Sequence, residues 1–179
     1  MFKIEDSIAL VIDFQARLMP FIYRHEEMEK KAEIFIKGCR VLDVPLLVMQ
    51  QYTKGLGDTS QILKDALGEF EHIEKITFSG CGNAEFIEKL EASGKKNIIV
   101  TGIEAHVCVQ QTVLDLLASG YNVYVLADCI GSRNETDRAY AEKRMRQAGA
   151  VITTMESVLF ELLIRADHPK RKDISNLVK

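Results

Sequence analysis

The chain has 179 residues, 47% hydrophobic and 27% charged, which suits one globular domain over 1–179 and leaves little room for two. Its formal net charge of -3 gives no electrostatic footprint for nucleic acid or an anionic membrane, and no apolar run reaches the roughly 18–20 residues that span a bilayer. Four cysteines, at 39, 81, 108 and 129, form no CxxC pair, and "MFKIEDSIALVIDF" puts acidic residues ahead of its apolar run with no cleavage site; the expectation is a cytoplasmic protein with free thiols.

In chain order, "SIALVID" (7–13) is a short apolar run ending in a carboxylate, the pattern of a buried strand. "HEEMEKKAEIFIKGCRVLDV" (25–44) sets Met28, Ala32, Phe35, Ile36, Cys39 and Leu42 at helical spacing, with glutamates in its first turn as the helix dipole prefers. Pro45 closes that helix, and "LLVMQ" (46–50) is a strand. "QYTKGLGDTSQILKDAL" (51–67) starts as a Gly-containing loop and becomes a short helix capped by Asp58 or Thr59. "HIEKI" (72–76) is a short strand, "SGCGN" a loop, and Asn83 caps the helix "AEFIEKLEAS", which Gly94 ends.

"NIIVTG" (97–102) is a strand, "HVCVQQTVLDLLASG" (106–120) a helix, "YNVYVLAD" (121–128) a strand and "ETDRAYAEKRMRQAG" (135–149) a helix. "AVITT" (150–154) makes a last strand and "ESVLFELLIRA" (156–166) a last helix before a basic, polar tail. That helix is apolar nearly all round, through Val158, Leu159, Leu162, Leu163 and Ile164, so part of it should meet another subunit or the tail.

Short apolar strands alternating with helices, with no hairpin turns, predict an α/β fold: three layers around a six-stranded parallel sheet of order 3-2-1-4-5-6. Ligands bind such sheets outside the carboxyl ends of the strands, at the switch point between strands 1 and 4. Asp13 ends strand 1, and Cys108 follows strand 4 where its helix opens. A helix start favours thiolate over thiol, which sets Cys108 apart from the mid-helix Cys39. Cys81 and Cys129 are rivals, each near the carboxyl edge of a strand. Lys75, at the end of an apolar strand, either snorkels to water or enters the crevice, where it needs a carboxylate partner such as Asp13 and would help hold Cys108 as thiolate. Zinc on Cys81, His106, Cys108 and Cys129 lacks the paired ligand spacing of structural sites. A Cys–His dyad lacks a suitably placed imidazole, and "GCG" lacks the rest of a nucleotide fingerprint. Metal and cofactor are both expected to be absent.

"VIDFQ", "KITFS" and "GIEAHVCVQQT", in this order, resemble the isochorismatase-like cysteine hydrolases, a superfamily that includes nicotinamidases and N-carbamoylsarcosine amidases. "QYTKGLG", "HVCVQQT", "SR…DR" and "DHPKRKDISNLVK" are closest to the isochorismatase domain-containing branch. The resemblance implies a general base at Asp13, a catalytic lysine at Lys75 and a nucleophile at Cys108. It implies a cis peptide at Ile103–Glu104 and an oxyanion hole from the N–H groups of Glu104 and Cys108. Gln15, Gln51, Tyr52 and Lys54 are expected by location to line a substrate pocket. Nicotinamidase members carry an Asp/His metal site after the second strand, where this chain has "QQYTKGLGD" and no histidine. The implied activity is hydrolysis of a small amide through a thioester; ether cleavage of the isochorismate type does not require the cysteine. The resemblance also implies a homodimer or larger homo-oligomer acting on a small molecule. A redox-sensing thiol protein, with Cys81 or Cys129 as resolving partner, and a non-catalytic oligomeric module are the alternatives.

Overall fold

The central apolar segments become parallel strands because two helical layers remove both their faces from water, while the two edge strands stay partly exposed. The computed structural model describes residues 3–179. The strands are β1 (Ser7–Ile12), β2 (Leu46–Gln51), β3 (His72–Lys75), β4 (Asn97–Ile103), β5 (Asn122–Gly131) and β6 (Val151–Thr153), in the order β3-β2-β1-β4-β5-β6. The predicted class and strand order are those observed. Every residue of β1 is buried: Ala9 and Val11 face one apolar cluster, while Ile8, Leu10 and Ile12 face the other.

The first cluster is covered by α1 (His25–Val41), α3 (Gln61–Leu67), α7 (Met155–Leu163) and α8 (Arg171–Leu177), following the four-residue α2 (Thr53–Leu56). The second is covered by α4 (Ala84–Ser93), α5 (Gln110–Ala118) and α6 (Glu135–Gln147). Large side chains such as Phe35, Ile36, Phe86 and Leu90 are fully buried there, each worth about 1.5–3 kcal/mol of transfer free energy. Asn83 caps α4 by accepting from the Phe86 N–H at 3.0 Å, and Gly94 ends it in the left-handed region at φ 66°.

Several expectations need correction. The segment 106–120 is not one α-helix: Ala105–Val109 form a wider π turn before α5 begins. α3 starts after Ser60, because Asp58 and Thr59 instead bind the Gln50 amide, at 2.6 and 2.9 Å. β5 runs on to Gly131, which places Cys129 inside a strand rather than beyond it. α7 buries Val158, Leu159, Leu162 and Leu163 within this same chain, leaving only Ile164 of that set exposed, so the helix gives no argument for a second subunit. The polar tail carries a helix of its own, α8, anchored by the fully buried Ile174.

β4 and β5 change register between Val100 and Gly102. Side chains satisfy the loosened backbone: Thr101 Oγ1 donates to the Cys129 carbonyl at 2.6 Å, and Arg138 Nη2 to the Ala127 carbonyl at 2.9 Å. Gly102 sits at φ 150°, and a Cβ there would lie 2.5 Å from the Ile12 carbonyl oxygen, so only glycine lets β4 approach β1 this closely. The residue after Ile12 is Asp13.

Candidate active site

Asp13 leaves β1 in the left-handed region at φ 56°, and its N–H still donates to the Met49 carbonyl at 3.1 Å. Lys75 is the last residue of β3 and pairs in register with Gln51 of β2. The parallel sheet therefore brings two residues 62 positions apart to one strand edge, where Lys75 Nζ donates to Asp13 Oδ2 at 2.7 Å. Both side chains are sealed from solvent. Lys75 Nζ also donates to Gln51 Oε1 at 2.6 Å, and Gln51 Nε2 donates to the Ile76 carbonyl at 2.8 Å. The buried ammonium thus has a counter-charge and a fixed neutral acceptor, as removal from water requires.

Cys108 lies in the π turn, where the Glu104 carbonyl accepts from the N–H groups of Val107 and Val109 at 3.0 and 3.2 Å. Thr112 Oγ1 donates to the Cys108 carbonyl at 2.7 Å and accepts from the Gly80 N–H at 2.9 Å, which ties the turn to the loop after β3. The thiol is buried and interacts with both Asp13 and Lys75. Burial and the neighbouring Asp13 charge push it up to about 12, with Lys75 offsetting only part of the rise. That differs from the expected thiolate, because the helix-start field and Lys75 do not outweigh desolvation beside a carboxylate. Asp13 is itself raised, first by burial, against the lowering effects of Lys75 and the thiol. Its Oδ1 is buried with no hydrogen-bond partner among the described residues.

The other expected site residues are placed differently. Gln15 is fully buried, and its side chain clamps backbone: Nε2 donates to the Gln51 and Gly57 carbonyls at 3.0 and 2.6 Å, and Oε1 accepts from the Gln51 N–H at 2.7 Å. Tyr52 is half exposed with its ring against Gly55, and Lys54 is exposed on α2 with no bond to Asp13, Lys75 or Cys108. The Ile103–Glu104 peptide is cis. Glu104 Oε2 accepts from Arg133 Nε at 2.9 Å, a pair 29 residues apart that no local spacing signals. Thr112, one helical turn after Cys108, was visible as a spacing at which a threonine bonds back to the preceding turn.

The rival thiols are less suited to chemistry. Cys39 and Cys129 are fully buried, and burial drives both far above the ordinary thiol range. Cys81 is half-buried and raised to about 11 by burial and by Asp115. All four cysteines are free. His106 Nδ1 pairs with Ser132 Oγ at 2.9 Å. Among the described residues no three His, Cys, Asp or Glu side chains cluster as metal ligands, and no helix is long and apolar enough to cross a membrane.

A doubly wound parallel sheet with a buried carboxylate, a lysine and a thiol gathered at its switch point defines a three-layer α/β protein with a candidate site at Asp13, Lys75 and Cys108. The family model for the isochorismatase domain matches residues 7–157, and the chain belongs to the isochorismatase family. It is 37% identical to isochorismatase family protein 1B of Dictyostelium discoideum, over 98% of this chain and 87% of that one. It is 36% identical to isochorismatase domain-containing protein 1 of Danio rerio, over 97% of this chain but 61% of that longer one. Among solved structures it is similar to the MAR1 ribonuclease from Caenorhabditis elegans, with 39% identity, a TM-score of 0.93 and coverage of 99% and 91%. It is also similar to the YcaC gene product from Escherichia coli, described as an octameric hydrolase of unknown specificity, with 26% identity, a TM-score of 0.89 and coverage of 98% and 86%.

Proposed function

We propose that the chain is a cysteine-dependent hydrolase acting on a small amide-type C–N bond through a thioester. The observation that carries this reading is the sealed contact of Lys75 Nζ with Asp13 Oδ2 at 2.7 Å, beside the Cys108 thiol and with Asp13 Oδ1 unengaged. A thiol raised to about 12 is neutral at rest, so it must lose its proton as it attacks. Asp13 takes that proton while sulfur bonds to the carbonyl carbon, and the raised carboxyl is a better match for this transfer than an ordinary aspartate. The backbone N–H groups of Glu104 and Cys108 hold the oxyanion. Asp13 returns the proton to the leaving nitrogen as the C–N bond breaks. It then takes a proton from the water that attacks the thioester, and the thiol is regenerated with release of the acid. Lys75 Nζ stays hydrogen-bonded to Asp13, and Gln51 orients it. Gln15, Tyr52 and Lys54 frame the loop around the site.

No metal or cofactor has a step in this scheme. The small-molecule reading is supported by the enclosure of the cluster and by the net charge of -3, which offers nothing to a phosphate backbone. A homo-oligomer is part of the proposal, since the similar YcaC product is described as octameric. The test is ammonia release from a panel of small amides and ureas, with intact-mass detection of the acyl-enzyme. Wild type should turn over at least one amide and Cys108→Ala none. Cleavage of RNA with no amide turned over, or a reversible Cys108 disulfide as the only activity, would overturn the reading.

A further inference from the structure

A cleft of about 340 Å³ is lined by Leu18, Phe21, Ile22, Glu104 and Arg133, and its hydrocarbon walls take no part in the steps above. Its volume falls in the range of small-ligand pockets. Three of its walls are hydrocarbon, and Phe21 leaves 69% of its surface open to solvent. The polar remainder is the Glu104–Arg133 ion pair, whose charges cancel. Glu104 lines this cleft and would give its backbone N–H to the proposed oxyanion hole, so the cleft adjoins the place proposed for the bound carbonyl.

We propose that this cleft is an acyl-chain subsite that takes a short, uncharged hydrocarbon group, making apolar amides of a few carbons the preferred substrate class. The proposal rests on the hydrolase reading. A hydroxylated chain would set its oxygens against Leu18, Phe21 and Ile22 with no partner, at a desolvation cost. A carboxylate would compete with Glu104 for an arginine that Glu104 already holds through Nε at 2.9 Å.

The experiment measures binding of acetamide, butyramide, hexanamide and succinamic acid to Cys108→Ala, which forms no thioester. The same amides are also scored for protecting wild-type Cys108 from iodoacetamide, which needs no variant. Affinity should rise about fourfold per added methylene, and the exposed Phe21→Ser should flatten the series to under twofold. Succinamic acid should bind no better than acetamide. A flat series, or succinamic acid binding best, overturns the subsite. Phe21→Ser lowering the oligomer mass with the series unchanged also overturns it, because the cleft is then an interface between copies. A graded binding series with no ammonia released from any amide overturns the hydrolase reading instead, and so separates the two failures.

Discussion

Burial raises both Asp13 and the Cys108 thiol, the Asp13 charge raises the thiol further, and one ammonium offsets only part of the rise. In the proposed scheme Cys108 is therefore a neutral thiol whose reactivity waits on Asp13. On that scheme Asp13 has two opposed effects on it: the carboxylate would accept the proton during attack, and its charge raises the thiol beforehand. Asp13→Asn should separate them. Amide turnover should fall by at least about 100-fold with loss of the general base. Direct alkylation of Cys108 by iodoacetamide near pH 8 should rise several-fold, because Lys75 is left unopposed and the thiol descends toward its ordinary range. Rates of peptide-resolved labelling against pH check this, and an unchanged or slower alkylation would count against the described balance of charges. The wild-type thiol, in contrast, should label slowly at neutral pH despite its place near a helix start.

The site depends on strand geometry more than on loops. Asp13 and Lys75 are placed by β1 and β3, while the π turn after β4 supplies Cys108. Gly102→Ala should act through that geometry: its Cβ would press on the Ile12 backbone 2.5 Å away, at φ 150°. A loss of about 2–3 kcal/mol is expected, with turnover reduced at temperatures where the fold persists; urea unfolding and activity on one sample check both. Much of this was legible in the sequence, since apolar runs alternating with helical spacing fix a parallel sheet and put Asp13 and Cys108 at its switch point. The π turn was not legible, because "HVCVQQT" carries the same apolar spacing in either helix type. Nor was the fate of α7, where Leu159 packs onto Gly38 of α1 and the tail helix α8 helps to cover the same face. Gln15 looked like a pocket residue because its number lies beside Asp13, yet its amide ties the loop after β1 to the end of β2 and to Gly57.

Across the whole molecule, burial raises the thiols of Cys39, Cys81, Cys108 and Cys129 alike. Each folded thiol therefore holds its proton at a pH where the unfolded chain has released it. The stability this gives is complete below the unfolded value of about 8.5 and is lost as pH rises above it, by up to about 1.4 kcal/mol per pH unit for each fully buried group. The urea midpoint should fall between pH 8.5 and 10, and Cys39→Ala should make that fall shallower. A midpoint that holds steady over this interval would show the thiols to be wetter than described.

The lysine of the site hangs from the last strand on one side of the sheet, four residues long and paired only to β2. Peeling that rim away would carry Lys75 out of reach of Asp13 and Gln51 in a single movement, stranding a carboxylate inside. On the proposed scheme, the chemistry and the final seam of the fold are thus fastened by the same knot. There, a molecule whose margin has come undone would be switched off rather than slowed, and each unit of activity would count chains that have closed completely.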